Sequence, residues 1–530
     1  MNLIDDTWLP FTTKKGVEVL PIAEITRPDV LDFYLPRADF QGAAYQLVIG
    51  LLQTVFAPSN EEDWHELYET PPSVDELQKA LSQASHAFNM LGDGPLFMQD
   101  YDALASSSTT PVANLLIEAP GGNTLKLNTD HFVKRQTSGG MSLPMAALAL
   151  YTLQINAPSG GQGHRTGLRG GGPLTTLVLP ASRDATLWQK VWMNVLWLKN
   201  TSQIDLSSPA IFPWLGPTKT SEGKNTMVLP GNDYPQEIQT YWAMPRRIRL
   251  NVEDAQDVCQ VSGETCTPII KNYQTQNYGN NYGDLWTHPL TPYAFNPKKP
   301  EQGKLSRKGQ PEGLPYKMWH SLLFTEKSDK EHITPAQVVS SFYIKRDEFD
   351  KETNEIPRLW VFGYDMDNMK ARCWYSSQIP LFKITPEQQD EILIEIQELQ
   401  SLALDALKQC RAAVKNAWFK RPGDKKGDTS FIDRAFWQRT EQAFVEGLYA
   451  IQNSDEGFVL SSQQAKKWLE HIKNTIYQLF DEHVLTECHA DRALARKMRA
   501  RQSLRKWLNY SKAVKNFKHT YQISDERKAS

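Results

Sequence analysis

The sequence is poor in cysteine, has no long apolar run and carries no complete catalytic signature, and each shortage narrows what the chain can be. Five cysteines in 530 residues, odd in number and widely scattered, make no disulfide framework and fit a reducing compartment. The longest apolar stretch, 45–57, is interrupted by Gln46, Gln53 and Thr54 and is too short to span a bilayer. The acidic start, Met1 to Asp6, lacks the basic and apolar regions of a signal peptide, so a cytoplasmic protein is expected. There is no Walker A motif, no His-Glu-x-x-His and no Gly-x-Ser-x-Gly. Gly161 and Gly163 are followed by Gly167, one residue too far for a dinucleotide fingerprint. Cys259 and Cys266 lack two further ligands at zinc spacing, while His483, Cys488 and His489 read as packing and surface residues. Asp365 and Asp367 can be a metal-binding pair or a turn cluster that stabilises its own backbone, and no third acid is placed beside them. No catalytic centre, cofactor or metal is expected.

Charge is present, but unevenly. The net charge is −3, yet 491–520 holds ten Lys or Arg against one acid, a local +9, so the other 500 residues sum to −12. That asymmetry fits an anionic partner at one end, or a solvated basic helix.

Glycine is concentrated. Seven glycines and two arginines, Arg165 and Arg169, fall within the fourteen residues 159–172. Bare backbone of this kind can press its amides against a phosphate backbone or enter a narrow groove, with Arg165 and Arg169 supplying charge; the alternative is a flexible hairpin without a ligand. The run 174–179 that follows reads as a strand, so the loop should hang from a sheet.

The chain divides into two architectural halves, and the expected class is α+β. Residues 1–379 change character every ten to fifteen positions, with strands expected at 176–179, 246–252 and 359–362 and helices at 38–56 and 74–91. Residues 380–530 read as a four-helix bundle. Thr385, Pro386 and Gln388 form a capping box ahead of a seam at Ile392, Ile396, Leu399, Ala403, Ala406, Cys410, Ala413 and Ala417. A second helix is expected over 431–451, with Trp437, Phe444, Leu448 and Ile451 on one side. A third, opening near Ser461, buries Ala465, Leu469, Ile472, Ile476 and Leu479. The fourth, over 490–510, carries a basic stripe of Arg492, Arg496, Arg499 and Lys506 that suits phosphates or plain solvation.

Several stretches taken in order resemble one family. They are Asn2 to Pro10, Leu35 to Arg37, Pro95 to Gln99, Gly167 to Gly171 before a Pro-x-Thr-Thr strand, Leu285 to Pro289, and Gly363-Tyr364 before an Asp/Asn cluster. Together they are similar to the large subunit of the type I-E CRISPR surveillance complex Cascade, often called CasA. The resemblance implies a non-catalytic protein that reads the protospacer-adjacent motif (PAM) of double-stranded DNA, helps start strand separation and recruits a helicase-nuclease. It implies partners: guide RNA, target DNA and the other Cascade subunits. Residue by residue, it places Gly160, Gly161, Gln162 and Gly163 in the minor groove beside the PAM. It assigns a lysine finger to Lys271, or to Thr275 in a gapless match, and a duplex-opening wedge to Asp367, Asn368 and Met369, with Lys370 beside them. It assigns guide-RNA and subunit docking to Phe132, Lys134 and Arg135. The rival readings are a metal-dependent nuclease using Asp365 and Asp367, and a ribonucleoprotein scaffold that never contacts the PAM.

Overall fold

The fold, taken from a computed structural model, is described outside residues 121–125, 127–138, 162, 199–203, 224–225, 350–355, 368, 382–387, 422, 424–426, 453, 455–456, 487–492 and 525–530. The chain forms two compact units. One comprises Met1–Gly309 with Ser321–Ile379; the other comprises Gln310–His320 with Pro380–Ser530. The second unit therefore takes an eleven-residue piece from the middle of the sequence, which no local pattern announces.

The first unit mixes helices and small sheets around two helices that are apolar nearly all round. Helix α1 (Ala38–Val55) and helix α3 (Leu143–Asn156) bury almost every side chain and pack on each other, as expected for helices apolar on every face. Between them, α2 (Val74–Leu81) starts at a Ser73–Glu76 capping box. The expected helix over 74–91 stops early. A 3-10 turn covers Ser82–Ala87, and Phe88 then leaves the helix to sit among Phe97, Phe212, Trp214 and Trp242. Burial of one large ring outweighs local helical preference.

Strand β1 (Thr175–Leu179) is wholly buried. Strands β2 (Arg247–Glu253) and β3 (Ile269–Gln276) pair antiparallel, with Tyr273 opposite Leu250. Strands β4 (Arg358–Asp367) and β5 (Lys370–Pro380) form a hairpin, and the sheet order is β5–β4–β1. The β4–β1 register ends at Phe362 opposite Thr175. Beyond Phe362 the hairpin continues as a two-stranded ribbon.

In the second unit, α4 (Gln389–Trp418) buries all eight residues of its expected seam. The proposed cap at 385–387 lies outside the described residues. Helices α5 (Ser430–Gln452) and α6 (Ser462–Val484) follow, the latter opened by a Ser461–Gln464 capping box. Helix α7 (Leu494–Tyr510) ends at Ser511, whose hydroxyl caps a further short helix, α8 (Lys512–Thr520). The tyrosine of the inserted segment, Tyr316, stacks on Phe444 at 4.2 Å between ring centroids and meets Trp437 edge-on at 4.9 Å.

Candidate nucleic-acid interface

The glycine stretch leaves α3 at Asn156 and returns to it. The Gly167 amide donates to the Ala157 carbonyl at 2.9 Å and that of Gly172 to the Asn156 carbonyl at 3.3 Å. Residues 159–161 project as an exposed tip, and a Cβ on Gly161 would meet nothing within 4 Å. Gly163 is held instead: its carbonyl accepts from the Tyr278 amide at 2.8 Å, its φ is +77°, and a Cβ there would lie 2.7 Å from Asn277. Only glycine fits that combination of left-handed backbone and close approach. Gln162 lies outside the described residues.

The two arginines of the stretch do not point outward. Arg169 is buried and donates to Thr175 and Thr291 at 3.0 Å and to Gln46 at 2.7 Å, tying the loop root to α1 and β1. Arg165 binds the hydroxyl and carbonyl of Ser221. The cation beneath the tip is Arg246, which the sequence reading treated only as the start of a strand. It donates to the Pro158 carbonyl, and its Nη1 lies 2.9 Å from where a Gly160 Cβ would be. Burial pushes its guanidinium down to about 10, and together with burial its charge lowers the neighbouring His164. Among the described residues, neither Arg169 nor Arg246 has a carboxylate partner. The loop thus rests on two uncompensated positive charges, which raise the local potential toward an anion.

The end of strand β4 approaches the root of the same loop. A Cβ on Gly172, whose φ is +62°, would collide with the Met366 side chain and come within 3.0 Å of the Tyr364 carbonyl. Pro158 touches Gly171 in turn, so a short run of contacts joins the exposed tip to the strand end that carries the wedge residues. At the turn, Met369 is 51% exposed, Asp367 is exposed, and Asn368 lies outside the described residues. Asp365 is buried and accepts both charged bonds of Arg372, at 2.7 and 2.9 Å, with Asp367 3.9 Å from the same guanidinium. The acid pair braces the two strands of the hairpin through the Arg372 side chain, rather than through the backbone of its own turn.

Lys271 is not brought to the loop. It sits near the start of β3, 3.0 Å from Asp257 and 3.8 Å from Glu253, whereas Gly163 abuts the chain just after Gln276 at the other end of the strand. Roughly 17 Å of strand separates the two ends. Thr275 is nearer the loop, but its hydroxyl is engaged with the Arg247 carbonyl at 3.0 Å. Phe132, Lys134 and Arg135 lie outside the described residues; the Gly139 amide donates to Gln260 at 2.6 Å.

The basic stripe of the bundle is divided. Arg496 donates to the carbonyls of Ala417 and Trp418 and so caps the C-terminus of α4. Arg499 and Lys506 are exposed without an ion-pair partner among the described residues, and Arg492 lies outside them. Lys512, Lys515 and Lys518 on α8 recur every third residue and add basic groups that the four-helix reading left unassigned.

A family model for the CRISPR-associated protein Cse1 matches residues 2–479. The chain belongs to the Cse1 family. Its fold is similar to that of a CRISPR-associated protein from Thermus thermophilus, with a TM-score of 0.70 at 15% identity, covering 96% of this chain and 99% of that one. Cse1 from Thermobifida fusca matches with a TM-score of 0.66 at 14% identity, covering 97% and 98%. A chain of a CRISPR RNA-guided surveillance complex matches with a TM-score of 0.65 at 14% identity, covering 95% and 99%. These similarities span both units of the Cse1 fold. No described helix is long and apolar enough to cross a membrane.

Proposed function

We propose that this Cse1 chain is the non-catalytic large subunit of an RNA-guided type I-E surveillance complex. In this reading it recognises the PAM of double-stranded DNA, starts strand separation and recruits a helicase-nuclease. Family membership and the similarity to a chain of a surveillance complex support the assembly. One observation supports the DNA-reading role: an exposed, side-chain-free tip at Gly160–Gly161 belongs to a loop whose root, Gly172, packs on Tyr364 and Met366, the strand end just before Asp367. A minor groove about 6 Å wide admits bare backbone, and a neighbouring turn can occupy an unstacked base step. Arg246 and Arg169 supply positive potential from below without filling the groove. Arg499, Lys506 and the α8 lysines would follow a DNA strand along the bundle. The segment with Phe132, Lys134 and Arg135 would meet guide RNA and neighbouring subunits.

The test is duplex capture by the assembled complex. Gly161→Asp should abolish PAM-dependent capture, because it sets a carboxylate at the groove floor, while Gly161→Asn, which tolerates a positive φ, should retain part of it. Capture that ignores the flanking motif in the unmodified complex would overturn the reading.

A further inference from the structure

The Leu35-Pro-Arg37 motif has no part in the reading above, yet the structure gives Arg37 a defined position. It stands in extended conformation just before α1, with φ of −133°. Its Nε and Nη2 donate to Asp39 at 3.0 and 2.9 Å, and its Nη1 and Nη2 donate to Glu118 at 2.8 and 2.9 Å. Asp39 is 5% exposed and also accepts the hydroxyl proton of Tyr364 from β4. A continuous line of charge-assisted bonds therefore runs from Glu118 through Arg37 and Asp39 into the hairpin strand.

Its place along β4 matters. Pairing with β1 ends at Phe362, so Tyr364 is the first ring-bearing residue of the two-stranded part, where the strand is buried beside Gly172 and Gly309 before it emerges at Asp367. A two-stranded ribbon is marginal by itself in water. Side chains alternate across a strand, so Tyr364 and Asp365 brace the ribbon on opposite faces, one through Asp39 and Arg37, the other through Arg372. Trp374 of β5 packs edge-on against Tyr364 at 4.8 Å and brings the second strand into the same brace.

An anion site is the competing account of these arginines, since a cavity of about 340 Å³ opens beside Arg37, Glu118, Tyr364, Arg372 and Trp374. The charges argue against it: Arg37 is already matched by Asp39 and Glu118, and Arg372 by Asp365 and Asp367. Burial works against the Arg37 cation, but its bonds to Asp39 and Glu118 outweigh that and keep it fully charged. Burial and the Asp39 charge hold the Tyr364 hydroxyl protonated, so it remains a donor.

We propose that Arg37 is a positioning residue for strand opening, clamping β4 so that the Asp367–Met369 turn holds its place when pushed into a duplex. A wedge that must offset a few kcal/mol of unstacking cannot do so from a ribbon that yields. Lysine cannot reproduce Arg37, because an ammonium lacks the planar paired donors that bind each of two carboxylates bidentately.

The inference rests on the proposed wedge, and the experiment separates the two. Arg37→Lys, Glu118→Gln and Tyr364→Phe are placed in the assembled complex with a fluorescent base analogue beside the PAM. Arg37→Lys should keep PAM-dependent capture within about twofold while the opening rate falls about tenfold, the order of a lost charge-assisted contact. Tyr364→Phe should add little to Arg37→Lys, because both break one line. Opening at the unmodified rate, or capture and opening falling together in proportion to a lowered Tm, would overturn the proposal. If the unmodified complex opens no duplex, the wedge reading fails, and hydrogen exchange decides the clamp. Amides of 363–372 should then exchange about tenfold faster in Arg37→Lys at unchanged Tm, and equal exchange would refute it.

Discussion

Replacing Tyr316 with alanine tests whether the inserted segment is structural to the helical unit. Tyr316 is 3% exposed, stacked on Phe444, edge-on to Trp437, and within 6.1 Å of Trp468 between centroids. Its hydroxyl pairs with Thr440 at 3.0 Å, and its carbonyl accepts from Gln400 at 2.9 Å. Removing a buried ring of this size costs about 3–5 kcal/mol, from lost transfer energy and the cavity left between α5 and α6. Tyr316→Phe keeps the ring and loses one hydrogen bond. Thr440 still donates to the Phe436 carbonyl at 2.8 Å, so that change should cost only about 1 kcal/mol. Hydrogen exchange read by mass spectrometry on α5 and α6 gives the local free energy, and urea unfolding gives the total. A loss below about 1 kcal/mol in Tyr316→Ala, or a loss as large in Tyr316→Phe, would refute the reasoning.

Three further outcomes are expected. Glu395 accepts from the Leu460 amide and the Tyr521 hydroxyl through one oxygen, and burial pushes its carboxyl above the usual 4.5. A raised folded-state value contributes stability below the unfolded value and loses it as pH rises, so Glu395→Gln should be more stable than the parent at pH 7. That gap should close toward pH 4 in thermal melts. Arg246→Gln should weaken duplex capture about five- to tenfold at low salt, whereas Lys271→Ala, which breaks exposed ion pairs far from the loop, should change it less than twofold in the same titration. Asp365→Asn leaves the Arg372 guanidinium without its buried partner and should lower stability by about 1–3 kcal/mol in urea unfolding.

The parts of the fold legible in the sequence are those that repeat locally. The α4 seam from Ile392 to Ala417 could be read because steps of three and four record a single buried face, and all eight positions are buried. The strands around Thr176 and Leu359 were visible as apolar runs for the same reason. Long-range pairings left no such mark. Nothing near Tyr316 signals that its ring sits among residues of α5 and α6, and nothing near Arg37 signals Glu118. Glycines around Arg169 suggested exposure, but they are what lets the backbone turn and bring that side chain inside. Lys271 had the right residue type, and only the register of β3 against β2 reveals its acidic neighbours Glu253 and Asp257. Within the candidate site, the glycine tip and the turn could each be recognised. Their shared root at Gly172 could not, because it depends on where two distant strands end.

The borrowed segment also has a consequence for synthesis. Tyr316 leaves the ribosome well before Phe444, 128 residues later in the chain. At ~5–20 residues per second, the gap is roughly 6–26 s. For that interval the ring has no slot to enter, so a nascent chain should display an aromatic flag that chaperones can hold until the last helices are made.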